Sequence, residues 1–131
     1  MDIIVGLIFW KAVEDMLEFE EYKVKLNNIR PTLDGLGAAL KLEDAKREIA
    51  ELEAESAKDG FWNDLDRSQK VQKRMKQLQL KCEKYEKLCS TWDDLMVICE
   101  MALEENDDSM LAELESDYAR LEGDLEAMRL S

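Results

Sequence analysis

The chain has no histidine, one proline, five glycines and three cysteines in 131 residues. Without imidazole it lacks the usual general base of neutral pH and the usual nitrogen ligand for zinc. So little Pro and Gly excludes a turn-rich β architecture and points to long helices. The three cysteines, Cys82, Cys89 and Cys99, are odd in number and spaced by seven and ten. That spacing suits neither paired thiolate ligands nor a disulfide framework, so no metal or other cofactor is expected. On a helix the three fall on one stripe, where they read as small buried hydrophobes in a reducing, cytoplasmic setting.

Positive charge is also short. Eighteen Lys and Arg face 31 Asp and Glu, a net charge of −13. This excludes the chain as a whole from binding DNA, and it opposes an anionic membrane surface. Long hydrophobic runs are missing as well: the longest, IIVGLIFW at residues 3 to 10, has eight residues, far from the ~20 that span a bilayer. It lacks the basic flank and the cleavage site of a signal peptide. Three readings of this run compete: a packing segment of the first helix, a contact for another chain, or an extension foreign to the domain. An exposed run with two aromatics would be sticky, so burial is expected.

What is present is helical periodicity. Val71, Met75, Leu78, Cys82, Tyr85, Cys89, Trp92, Met96, Cys99 and Leu103 alternate steps of four and three, the 3.5-residue period of a coiled-coil-like seam. Leu111, Leu114, Tyr118, Leu121, Leu125 and Met128 repeat the pattern after a reversal at Asn106-Asp107-Asp108-Ser109, where Asp107 or Asp108 would cap the next helix. Two stripes joined so closely predict an antiparallel hairpin.

A third stripe, Phe19, Tyr22, Leu26, Ile29, Leu33, Leu36 and Leu40, crosses Pro31. A kink or break is expected near residues 28 to 30, because an interior proline costs ~3 kcal/mol. Gly35 and Gly37 should weaken the following turns. Leu42, Ala45, Ile49 and Leu52 form a fourth stripe that should stop near Gly60. A helix over residues 64 to 103 would be about 60 Å long, too long for a sphere of this mass. The expected fold is therefore all-α, an elongated antiparallel helical bundle or coiled coil of about four helices.

Charge is unevenly placed. Residues 67 to 87 hold eight Lys or Arg and two Glu, while residues 104 to 126 hold ten acids and one Arg. Two solvated helix faces attracting each other account for both runs; an anionic partner for the basic face is the sharper alternative. No catalytic constellation appears: there is no G-x-S-x-G, Walker loop or dinucleotide fingerprint. Glu104, Glu105, Asp107 and Asp108 lack the spacing and central Gly of a calcium loop. The residues alone describe a domain that binds or positions something, without being an enzyme.

The stretch LEDAKREIAELEAESAKDGFWNDLDRSQKV, residues 42 to 71, resembles the N-terminal region of the bacterial peptide chain release factor 2 family. The matching residues are Ala45, Lys46, Ile49, Glu51, Leu52 and Glu53, then Phe61-Trp62-Asn63-Asp64, then Ser68, Gln69 and Val71. The acidic EEND reversal fits the same pattern, and the likeness covers roughly residues 16 to 130. Departures are Leu65, where the family often has Pro, and Pro31 with Gly35 and Gly37. Residues 1 to 15 have no counterpart, and Met16-Leu17-Glu18 reads like a start. The domain is accordingly placed at 16–131, with 1–15 an apolar extension not native to it.

The family reads UAA and UGA stop codons with S-P-F and hydrolyses peptidyl-tRNA with G-G-Q, and this sequence holds neither. The resemblance thus implies a non-catalytic N-terminal docking domain of a cytoplasmic translation-termination factor. Its implied partners are the ribosome, near the large-subunit stalk base, and the remainder of the factor. Lys70, Lys73, Arg74, Lys76, Lys81 and Lys84 are the candidate ribosome-docking residues. Gly60, Phe61, Trp62, Asn63 and Asp64 form a structural corner, with both aromatics expected to be buried. The alternative is a stand-alone coiled-coil adaptor or homodimerisation module, the apolar N-terminus joining a second chain.

Overall fold

Helix α1 covers Asp2–Ala39, α2 Leu42–Ser56, α3 Leu65–Glu105 and α4 Leu111–Leu130, with one 3-10 turn at Phe61–Asn63. The structure is a computed structural model that describes residues 2–131. Among the described residues there is no strand, so the all-α class holds. Every member of the four apolar stripes is buried or half-buried. Periodicity located these seams because burial along a helix is set by local geometry.

The chain divides into two units. The first combines the described residues up to Asp34 with Leu88–Ser131. Its core holds Phe19, Leu26, Leu33, Leu95, Cys99, Leu114 and Leu121. The Trp92 indole N–H donates to the Leu26 carbonyl at 2.6 Å. Tyr22 and Tyr118 meet edge to face, 5.2 Å between ring centres, and the Lys25 ammonium lies over the Tyr22 ring. Lys23 lies near Cys99 and Leu26 accepts from Trp92, so α1 runs antiparallel to α3. Glu18 pairs with Glu115 and Tyr22 with Tyr118, so α1 runs parallel to α4. In this unit α3 also buries Leu88, Leu95 and Ala102. A helix with neighbours on two sides needs a stripe wider than a single seam.

The second unit is Gly35–Lys87. Ala45, Leu78 and Cys82 form its centre, with Leu42, Ile49 and Leu52 packed around them. A Cβ added to Gly37 would overlap the Tyr85 ring and hydroxyl. This glycine therefore provides the space that Tyr85 occupies.

Several expectations change. Helix α1 passes through Pro31 without a break. Pro31 is exposed, and Leu26 and Leu33 on either side are 0% and 1% exposed. Together they contribute ~3–6 kcal/mol by burial, enough to offset the ~3 kcal/mol proline cost. The helix ends instead at Ala39, and Lys41, just before α2, takes a left-handed φ of 53°. The caps of α4 also differ: Met110 is its N-cap, and Asp107 accepts the Ser109 N–H at 2.9 Å within the turn. The apolar run at residues 3 to 10 is helical but not buried: Ile3, Ile4, Val5, Leu7, Ile8, Phe9 and Trp10 are all exposed. Hydrophobicity predicts a wish for cover, but nothing among the described residues supplies it.

Candidate docking surface

The first half of α3 opens at the corner. Gly60 takes φ 81°, the left-handed region that glycine adopts without a steric penalty. The chain then makes its 3-10 turn, and Asp64 begins α3 by accepting the Arg67 N–H on Oδ1 at 3.1 Å. That carboxylate satisfies one of the orphan donors of the first turn. Phe61 is buried at 8% exposure, but Trp62 is 58% exposed. The expectation that both aromatics plug the corner is corrected for Trp62. The two rings meet at 89° with centres 5.0 Å apart, so Trp62 lies against the edge of a buried ring while most of its surface faces water. Adjacent residues in a tight turn cannot both point into one core. Beside them lies a shallow, open depression lined by charged residues such as Glu51, Glu55, Lys58 and Arg67.

Beyond the corner the basic residues separate into two groups. Arg67 makes a two-pronged bond to Glu55 at 2.7 Å on each prong. Arg74 makes another to Glu48, with one prong at 3.1 Å. These bonds hold both carboxyl groups below the ordinary carboxylate range. Acids of α2, rather than the α4 acids expected from composition, therefore satisfy the two arginines. The planar guanidinium fork suits carboxylates on a neighbouring helix. Candidate residue Arg74 is thus engaged inside its own unit.

Lys70, Lys73, Lys76 and Lys84 are exposed and make no ion pair among the described residues. Lys81 is half-buried and lies close enough to Glu48 to lower that carboxyl further. At 100° per residue, Lys73, Lys76, Lys84 and Lys87 share the face of α3 opposite Val71, Leu78 and Cys82. Leu80, 47% exposed, sits in the middle of that ridge. From Lys73 to Lys87 the ridge is about 21 Å long. Its flanks carry Glu83 and Glu86, yet its crest is positive. Leu80 and Lys87 were missed as site residues; their spacing from Lys73 and Lys76 would have found them. No group of three His, Cys, Asp or Glu among the described residues could hold a metal ion. Cys99, held by burial at a pKa of about 11, is no nucleophile at neutral pH.

The corner and the ridge fall inside a segment that matches a family model: the PCRF domain, at residues 45–131. The chain belongs to the PCRF-domain family. Its PCRF segment includes α3 and α4 whole, together with most of α2. Among curated relatives, peptide chain release factor 2 of Saccharopolyspora erythraea is 34% identical over 80% of this chain and 29% of its own length. The protein of the same name from Lactiplantibacillus plantarum is 34% identical over 88% of this chain and 30% of its own. That of Clostridium perfringens is 30% identical over 88% and 31%. The chain thus spans about three tenths of the length of these relatives. No solved structure matches. No helix of the described residues is long and apolar enough to cross a membrane.

Proposed function

We propose that this chain is the non-catalytic N-terminal helical domain of a release factor 2-type protein, acting in translation termination at UAA and UGA codons in the cytoplasm. In this reading residues 16–131 are the docking domain and residues 1–15 are an added extension of α1. The domain positions the factor on the ribosome at the stalk base of the large subunit. The observation that carries the docking role is the lysine ridge of α3. Its charges stay exposed and unneutralised on a chain whose net charge is −13, while the neighbouring arginines are paired. Such an arrangement suits an anionic partner reached by a local patch, as ribosomal RNA phosphates would be. In this reading, chemistry on peptidyl-tRNA belongs to other parts of the factor.

The test is charge reversal in a full-length factor carrying this domain. Lys73→Glu with Lys76→Glu should weaken ribosome binding and flatten its salt dependence while helicity stays unchanged. Unchanged binding and salt slope would remove the docking role. A second reading, a coiled-coil adaptor or homodimerisation module, is favoured by one observation: the exposed apolar start of α1. Under it the chain would self-associate without measurable affinity for ribosomes.

A further inference from the structure

Opposite the stripe that α1 buries in its own unit lies a second one that the chain leaves open. Ile3, Trp10, Leu17 and Val24 follow one another at steps of seven and are 79%, 63%, 55% and 57% exposed. Leu7, 64% exposed, lies beside them. Seven residues turn an α-helix through nearly two full circles, so these side chains share one face. Phe19, Leu26 and Leu33 occupy the other. A helix with apolar stripes on both sides has partners on both sides.

We propose that this outer face of α1 is a self-association surface, on which a second copy of the chain packs antiparallel. Two observations choose the occupant. The first is charge. Residues 14 to 21 of this helix carry Glu14, Asp15, Glu18, Glu20 and Glu21, whereas residues 3 to 10 carry no charge. Centred between Val13 and Glu14, an antiparallel pair sets Ile3 against Val24 and Trp10 against Leu17. Glu18, Glu20 and Glu21 then lie along the uncharged Phe9, Leu7 and Gly6 of the partner copy, and Asp2 meets Lys25. Of the acids, only Glu14 stands close to its own mate across the axis. A parallel pair would oppose every one of these acids to its own mate, a more repulsive arrangement. The same acids repel anionic lipid headgroups, which sets a membrane surface aside.

The second observation is area. The five side chains expose on the order of 600 Å², and a symmetric pair would cover about twice that, entering the ~1,200–2,000 Å² range of stable interfaces. A two-fold axis also uses one patch twice, so no second complementary surface is required. The surface deepens the second reading and rests on its observation, the exposed start of α1. It involves none of the α3 lysines, so a dimer that still binds ribosomes would leave the docking role standing, and a monomer that binds them would remove the self-association alone.

Sedimentation velocity of the full chain across the micromolar range tests this. The expected result is a dimer. Leu17→Glu should shift it to monomer, weakening association more than about tenfold, with far-UV circular dichroism unchanged. Val24→Glu, also on an exposed position, should do the same. Trp10→Cys mixed with Leu17→Cys should oxidise to the 10–17 disulfide in preference to the 10–10 product, identified by peptide mapping. A monomer at every concentration, a monomer that floats with neutral liposomes, a dimer indifferent to Leu17→Glu, or dominant 10–10 cross-linking would overturn the proposal.

Discussion

Trp92 donates its indole N–H to the backbone carbonyl of Leu26, 66 positions away in sequence, at 2.6 Å. The Arg30 guanidinium lies 4.8 Å from the centre of the same ring, and Arg30 also reaches Asp93 at 3.8 Å. Leu26 is one residue before Asn27, whose carbonyl would have received the N–H that Pro31 lacks. The weakest turn of α1 is therefore held from outside by α3.

Trp92→Phe keeps most of the ring and removes the donor. It should cost ~0.5–1.5 kcal/mol in urea unfolding, plus part of the cation–π contact. A stability equal to wild type would mean that the indole bond contributes nothing to holding α1.

Gly35→Ala and Gly37→Ala should act with opposite signs. Nothing lies within 4 Å of a Cβ at Gly35, so alanine there should stabilise the helix by ~0.5–1 kcal/mol. A Cβ at Gly37 overlaps Tyr85, and forcing the two apart should cost ~1–3 kcal/mol. Thermal melts of the two variants moving in the same direction would contradict this placement of Tyr85.

At the corner the two aromatics should separate in the same way. Phe61→Ala removes a buried ring and should cost ~3–5 kcal/mol. Trp62→Ala removes an exposed ring with one edge contact and should cost no more than ~1.5 kcal/mol. Equal losses would place Trp62 in the core after all.

The acid pairs between α1 and the region of α4 make a pH prediction. Glu18 is raised above the usual carboxylate range, first by its hydrogen bond to Glu115. Asp108 is raised, first by its bond to Asp15. A raised carboxyl pKa stabilises the fold below its unfolded value, and that contribution disappears as pH rises through the folded one. Glu18→Gln should therefore raise the melting temperature at pH 7 by roughly 1–3 °C in low salt. The gain should shrink as pH falls toward 4. Glu48 and Glu55 have the opposite sign: the arginine bonds depress them, so their contribution is present at neutral pH and disappears on acidification. Glu48→Gln should thus destabilise at pH 7 and become neutral at low pH. A pH-independent difference for either variant would refute the assignment.

Much of the fold was legible. The seams were readable because a helix buries its side chains at a fixed angular step, whatever its neighbours are. The cap of α3 was readable as Asn63 or Asp64, because a short polar side chain before the first turn satisfies a free N–H locally; the structure has Asp64 in that role. The lysine ridge was half legible. Its residues were named from a charge run, which leaves out Leu80 and Lys87; these emerge only when the helix is projected opposite the Val71, Leu78 and Cys82 seam. Arg74 could not be told from its neighbours by sequence, since what distinguishes it is a carboxylate on another helix.

The sequence by itself determined the helical class, the four stripes, the reversal after α3 and the family. Each depends on periodicity, capping or local motif, within reach of a few residues. Tertiary structure alone decided that Pro31 is carried through, that α2 supplies the arginines' acids, that Trp62 faces water and that Gly37 makes room for Tyr85. The helix-to-helix contacts among these outcomes join groups 12 to 66 positions apart. Until the chain folds, no local rule says which of them will meet.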